Sequence, residues 1–430
     1  MRLFYRRGKM IIEEINLQEI LDARERRAVA QSNLLKQYDN TVVSFSMNIA
    51  GEVKNTPLIE LAFWAAIERI ETEVNATILY KNIIQEKTGP EALYVFNQEA
   101  DTIKHITVEI ENANPIGRLF DIDVIDRFGK KLSREIIRTC LVCDGPVTIC
   151  SRNRAHGLSV IKSATQELLL NFACEKLASF AVESLIEEAV LAPKPGLVDS
   201  INNGAHKDMN LDMLCRSAGV LRPYFADCVR FGAEDDKCID TLQKAGICAE
   251  NTMLKETCGI NTHKGAIFAM GIYLGALGGY LSRGGNLFNR CSNLALQKSN
   301  NMSFTENTHG DLVRKEFRKA GAIEEACQGF PTATKAAKAL KESGGDALYA
   351  LLIIMESTID SNLLYRGGQA ALDFVQNEST RILKLPSNEQ KNALVVMDEE
   401  CIRKNISPGG AADMLALSIL ISKISQIVNF

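Results

Sequence analysis

Positive charge is in short supply: 49 lysines and arginines stand against 53 acidic residues, a formal charge of -4. This excludes a broad basic surface for nucleic acid or anionic lipid, so any phosphate chemistry must draw on a few local cations. The N-terminal patch Arg2, Arg6, Arg7 and Lys9 has no apolar stretch behind it, because Glu13, Glu14, Asn16 and Gln18 interrupt. A secretory signal is therefore not expected, and the cytoplasm is the expected compartment. The charge-free stretch AIFAMGIYLGALGGYL (Ala266 to Leu281) falls short of the roughly 20 residues that span a bilayer and is rich in glycine. It reads as a buried helix with close backbone neighbours rather than a membrane anchor. The 12 cysteines are scattered with no export signal, which favours reduced thiols over a disulfide framework. Proline (10) and histidine (5) are also scarce, yet Pro193 to Met209, PKPGLVDSINNGAHKDM, gathers two prolines, a histidine, two lysines and two aspartates in one loop.

At 430 residues the chain exceeds one ordinary core. Its texture changes near residue 165. Before that point VVSFSMNI (42–49), HITVEIE (105–111) and RLFDIDVID (118–126) alternate with the period of two of half-buried strands. Ser163 with Gln166 reads as a capping box, after which Leu169, Phe172, Ala173, Leu177, Phe180, Ala181 and Ile186 keep helical spacing up to Pro193. Nearly everything beyond reads as helix. We expect a multidomain chain: an α+β domain with a mainly antiparallel sheet over 1–162, and an all-α domain over 163–430.

Asp121 and Asp123 lie two apart on a strand, so both carboxylates leave one face with Cα atoms about 6.6 Å apart. That suits Mg²⁺ bound to a triphosphate, although solvated acids on an exposed face fit equally well. HITVEIE ends shortly before Gly117, so antiparallel pairing of the two strands would bring Glu109 or Glu111 near the aspartates. Cys140, Cys143, Cys150 and His156 have ligand types compatible with tetrahedral zinc, or are buried small hydrophobes. SFSMNIAGEVK (44–54), PIGRLFDIDVID (115–126) and RTCLVCDGPVTICSRNRAH (138–156) together resemble apo-citrate lyase phosphoribosyl-dephospho-CoA transferase, the holo-citrate lyase synthase. The resemblance implies a nucleotidyltransferase-like domain. In it a serine of the citrate lyase acyl carrier protein (gamma subunit) attacks the α-phosphate of triphosphoribosyl-dephospho-CoA and diphosphate leaves. Asp121 and Asp123 would then be the catalytic, metal-binding pair, with Lys54 and Arg118 as phosphate contacts.

The helical half carries its polar residues in loops. Asn261-Thr262-His263-Lys264-Gly265 precedes the glycine-rich helix, where Asn261 or Thr262 can cap and Lys264 can sit at the positive end. Ser407-Pro408-Gly409-Gly410-Ala411-Ala412-Asp413 repeats this logic, with Ser407 as cap and Pro408 at the first helical position. Asp360-Ser361-Asn362, Arg366-Gly367-Gly368 and Glu325 with Gly329-Phe330-Pro331 add further clusters. Each alone is consistent with helix capping; together they suggest one pocket built from helix ends. The strings PKPGLVDSINNGAHKDM, INTHKGAIFAMG, EACQGFPTA, DSNLLYRGG and SPGGAADMLALSIL resemble triphosphoribosyl-dephospho-CoA synthase across residues 165–430. The resemblance implies that ATP and 3'-dephospho-CoA are joined through a ribose-to-ribose bond, with release of adenine and with Mg²⁺ as cofactor. Asp199, His206 and Asp208 then supply base candidates. Asp208 and Asp413 are metal candidates, while Lys194, Asn261, His263, Lys264, Asn362, Arg366, Gly409 and Gly410 are substrate or phosphate contacts. Two departures stand out: Gly321-Ala322-Ile323-Glu324-Glu325 lacks an arginine that the family's pattern carries, and Tyr365 replaces a histidine before Arg366.

The combined expectation is a bifunctional, ATP-using transferase of citrate lyase prosthetic-group biosynthesis, with no nucleic acid or membrane partner. The rivals are the equivalent modifier of a malonate decarboxylase carrier protein and a catalytically inactive nucleotide-binding protein.

Overall fold

The first helix begins with a reciprocal cap: the Asn16 side chain accepts from the Glu19 amide while Glu19 reaches back to the Asn16 amide. The structure, a computed structural model, describes residues 13–143, 145–301 and 321–428. The basic patch Arg2, Arg6, Arg7 and Lys9 lies outside them. The chain divides between Ala173 and Cys174 into two compact units.

In the first unit α1 (Leu17–Tyr38), β1 (Thr41–Met47), α2 (Pro57–Glu73), β2 (Ile78–Glu86), β3 (Gly89–Phe96), α3 (Ala100–Asn112), β4 (Phe120–Ile125) and α4 (Val147–Arg152) follow in order. The sheet runs β2-β3-β1-β4 and every pair is antiparallel. One face of β1 buries Val43 and Phe45, and Phe45 stacks on Phe63 of α2 at 5.0 Å. The other face pairs Ser44 with Asp123 and Ser46 with Asp121, so the aspartates stand over small polar neighbours. VVSFSMNI and RLFDIDVID are strands as expected, but HITVEIE is not. It lies in α3, whose buried residues Ala100, Ile103, Thr107, Ile110 and Glu111 keep helical spacing. Its β-branched residues alternate by accident within a longer period of 3.6. The expected pairing of that segment with β4 is absent, and β4 is an edge strand. The β2-β3 hairpin, turning at Gly89 with φ +111°, was not expected.

The helix expected from Ser163 starts earlier. As α5 (Leu158–Val190) it continues unbroken through Ser163, so Ser163 is interior and not a cap. The second unit is helical throughout its described residues: α6 (Leu211–Val220), α7 (Arg222–Glu234), α8 (Ile239–Glu256), α9 (Lys264–Arg283), α10 (Leu287–Asn301), α11 (Ala322–Cys327), α12 (Pro331–Glu342), α13 (Ala347–Ser357), α14 (Ser361–Leu383), α15 (Ser387–Lys404) and α16 (Gly409–Ser425). Of these, α9 is long and apolar enough to cross a membrane, but 83% of its apolar window is buried inside the protein. Its glycines explain this: a Cβ on Gly232 of α7 would overlap the Gly275 carbonyl, and one on Gly278 the Val229 carbonyl. The two backbones touch, which only glycine allows.

Candidate active sites

Side chains seal the open edge of β4. The Ile122 amide donates to Glu111 Oε1 at 3.1 Å, and Lys104 Nζ donates to the Ile122 carbonyl at 3.3 Å. Buried Glu111 also pairs with Arg138 at 2.5 Å and Arg134 at 2.7 Å. These groups, with Asp121, Asp123 and Lys131, line a cleft of about 530 Å³. Lys131 reaches Asp123 at 2.6 Å. Burial, and then the charge of Asp123, push the Asp121 carboxyl above its ordinary range. Burial pulls the Lys104 ammonium down, against the pull of Glu111. Glu111 reaches the aspartates from a helix and not from the strand expected of it. Lys54 and Arg118 do not line this cleft: Lys54 Nζ donates to the Ile49 carbonyl, and Arg118 to the Thr139 carbonyl. Lys104 and Lys131 were missed, the first because its helix was read as a strand.

Beyond the cleft, Cys143 Sγ lies 3.4 Å from Cys150 Sγ and 3.3 Å from His156 Nε2. With Cys140 their ligand atoms all fall within 4.8 Å of one another. All three thiols are free.

In the second unit the polar loops converge. His206 Nε2 bonds Ser407 Oγ at 2.9 Å, and Arg366 holds the Ala205 carbonyl at 3.2 Å and His206 Nδ1 at 3.4 Å. Ser407 therefore serves His206 instead of capping; the helix starts at Gly409 with Pro408 before it. Asp360 ties two helix starts together, accepting from Asn362 at 2.8 Å on its own α14 and from Ala411 at 3.0 Å on α16. Asp413 in turn accepts from the Ala266 amide at the start of α9. A Cβ on Gly265 would overlap the Asp413 carboxylate, and one on Gly409 would press the Asn362 amide. Asn261 Oδ1 accepts from the Lys264 amide, but it stands two residues before the N-cap of α9, which is His263 and makes no side-chain cap bond, so neither Asn261 nor Thr262 is the cap expected. Gly410 lies against Asp360. Gly368, at φ 65° and ψ -161°, breaks α14 just beyond Arg366 in a conformation almost confined to glycine.

Other expected residues point elsewhere. The Lys194 ammonium is buried against Glu188, 2.5 Å from its carboxylate and 2.6 Å from its carbonyl. Asp199 accepts three backbone amides, from Lys194, Ile201 and Asn202, and so shapes its loop. Asp208 is exposed, 3.9 Å from His206 Nδ1. Lys264 pairs with Glu250 at 2.8 Å. His263 is buried with Nδ1 2.9 Å from Ser217 Oγ.

Buried charge is the distinguishing feature here. Burial, then Glu188 and Asp360, push the Asp413 carboxyl well above its ordinary range. Burial raises Glu188 and Asp360 as well, although Lys194 opposes this at Glu188. Lys194 neutralises Glu188 and backbone amides serve Asp360, whereas the causes acting on Asp413 include no cation, a balance that calls for a proton or a further cation there. Burial and then Lys194 lower the His263 imidazole to about 4, and burial and then Arg366 lower His206. Glu188 was hidden inside an apolar helical run. Asp398, which accepts from the Gly196 amide at 2.8 Å and Asn202 at 2.9 Å, sits in an acidic run that looks solvated.

Comparison with known proteins divides the chain at the same place. The family described as ATP:dephospho-CoA triphosphoribosyl transferase matches residues 174–429, and that described as apo-citrate lyase phosphoribosyl-dephospho-CoA transferase matches residues 15–172. Protein CitXG of Haemophilus influenzae is 34% identical over 94% of this chain and 96% of its own length. Protein CitXG of Leuconostoc mesenteroides subsp. cremoris is 30% identical over 96% and 98%. A 2-(5''-triphosphoribosyl)-3'-dephosphocoenzyme-A synthase of Haemophilus ducreyi is 35% identical over 65% of this chain and 98% of its own. The chain belongs to the ATP:dephospho-CoA triphosphoribosyl transferase family over its second unit and to the apo-citrate lyase phosphoribosyl-dephospho-CoA transferase family over its first, a bifunctional transferase that fuses the two.

Proposed function

We propose that the second unit joins ATP to 3'-dephospho-CoA with release of adenine, and that the first transfers phosphoribosyl-dephospho-CoA to a serine of the citrate lyase acyl carrier protein with release of diphosphate. The observation that carries the reading is the joining of the starts of α9, α14 and α16 by two buried carboxyls, Asp360 accepting from Ala411 and Asp413 from Ala266, with Glu188 of α5 raising the Asp413 carboxyl. Forming a ribose-to-ribose bond requires the 2'-hydroxyl of dephospho-CoA to lose a proton while C1 of the ATP ribose passes through an oxocarbenium-like state. His206 is suited to take that proton. Burial and Arg366 keep its ring neutral in the free site, Ser407 on Nε2 fixes its orientation, and Nδ1 is the nitrogen that accepts the proton once Arg366 leaves it for a phosphate. Arg366 can turn to a phosphate, and Lys194 neutralises Glu188.

The paired carboxylates Asp121 and Asp123 fit Mg²⁺ in the first unit; in the second, Asp413 is the carboxyl left to meet a cation, since Glu188 is committed to Lys194 and Asp360 to backbone amides. Bound there, the ion would neutralise triphosphate or departing diphosphate. In the first unit Lys104, Lys131, Arg134 and Arg138 surround the aspartates and supply the phosphate contacts.

Incubation of the chain with ATP, Mg²⁺ and 3'-dephospho-CoA tests the first step. Adenine should appear by chromatography, in equal amount to the coupled product. Absence of adenine from a folded preparation overturns the reading.

A further inference from the structure

We propose that Cys140, Cys143, Cys150 and His156 form a closed structural zinc site that holds one wall of the Asp121/Asp123 cleft. Tetrahedral zinc bonded to sulfur at about 2.3 Å places its ligand atoms roughly 3.8 Å apart. The four atoms already lie within 4.8 Å of one another, with Cys143 3.4 Å from Cys150 and 3.3 Å from His156. A disulfide would need sulfurs about 2.05 Å apart and would leave the other two ligands idle. The local backbone is shaped for a metal. The Cys140 amide donates to the Gly145 carbonyl at 2.5 Å, closing a turn that contains Cys143, and the Val142 amide donates to Cys140 Sγ at 3.4 Å. Three thiolates and one imidazole leave no position open for substrate, which makes the site structural and not catalytic.

The segment needs such a staple. No residue of α4 is buried, and Ile136, Ile137 and Ile149 are 82%, 64% and 55% exposed, so apolar burial does not hold residues 136–157 in place. Yet a residue near Cys140 serves the cleft: Arg138 lines it and pairs with Glu111, while the Thr139 carbonyl ties the segment to Arg118 outside it. Binding releases the three thiol protons to solvent, and its free energy becomes folding energy for this segment. The site stands independently of the proposed reactions. Only its effect on carrier modification rests on them.

The test is metal analysis of the full chain purified under reductant and without chelator. We expect one zinc per chain, and after exchange with Co²⁺ the intense visible bands and thiolate charge transfer of a tetrahedral cysteine site. Cys143→Ser should weaken zinc affinity by about tenfold or more, read as metal lost on dialysis against a competing chelator at a level where the wild type stays loaded, since losing a ligand costs at least as much as losing its outer partner. His156→Cys should keep the metal, which guards against a Cys143→Ser chain that merely misfolds. In zinc-stripped protein, trypsin should cut within residues 136–157 and the KM for carrier protein should rise, with adenine release unchanged. Wild-type zinc below a tenth of an equivalent overturns the proposal. So does full zinc in Cys143→Ser after that dialysis, or a thiol count two short of the 12 in the chain.

Discussion

At the scale of single residues, function and stability oppose each other. Asp413 is held toward its neutral form by burial and by Glu188 and Asp360. A carboxyl whose folded pKa is raised stabilises the fold below its unfolded pKa, and that stability is lost as pH rises through the folded value. At neutral pH without added cation, Asp413→Asn should therefore raise Tm while adenine release falls by at least about a hundredfold, a loss on the scale of one preorganised electrostatic contact. Calorimetry without and with Mg²⁺ checks the first part, and an unchanged or lower Tm would refute it. His263 has the opposite sign. Its folded pKa, about 4, lies below the unfolded 6.5, so its contribution is present above pH 6.5 and lost as pH falls toward 4. The shift corresponds to about 3 kcal/mol at most. Urea unfolding of the second unit should lose stability between pH 7 and pH 5 more steeply in the wild type than in His263→Gln, which keeps a polar group near Ser217.

At the scale of elements, close backbone contact decides what substitution does. Gly232→Ala should destabilise by about 1–3 kcal/mol, because its Cβ must enter the Gly275 carbonyl of α9. Gly219→Ala in α6, with nothing within 4 Å, should instead stabilise by about 0.5–1 kcal/mol. Chemical denaturation of the pair checks both signs. The glycine-rich run of α9 was legible as a buried helix since its composition alone demands close neighbours. The element type of HITVEIE was not, because seven residues with four β-branched side chains fit period two as well as 3.6 until Ala100 and Ile103 are counted in. Ser163 failed as a helix start because a cap motif inside a longer helix has the same spelling as one at its end. Ser407 failed because its hydroxyl found a better partner in His206 across the fold.

At the scale of the whole molecule, two catalytic units on one chain should be separable by single substitutions. The change of texture near residue 165 made two units legible, as did the five polar loops of the second. The division between Ala173 and Cys174 was not legible to the residue, because it falls inside the continuous helix α5 and leaves no linker to read. Which loop residues meet was also illegible. Lys194 and Asp199 looked like reactive groups, whereas burial commits one to Glu188 and the other to backbone amides. The sharpest test is mass spectrometry of apo acyl carrier protein, with adenine measured alongside, after incubation with ATP, Mg²⁺, 3'-dephospho-CoA and each chain. Wild type should add the full prosthetic-group mass. Asp121→Asn should release adenine without modifying the carrier, Asp413→Asn should do neither, and the two mixed should restore modification. Carrier modified by Asp121→Asn alone, or adenine released at the wild-type rate by Asp413→Asn, would contradict the two-site account.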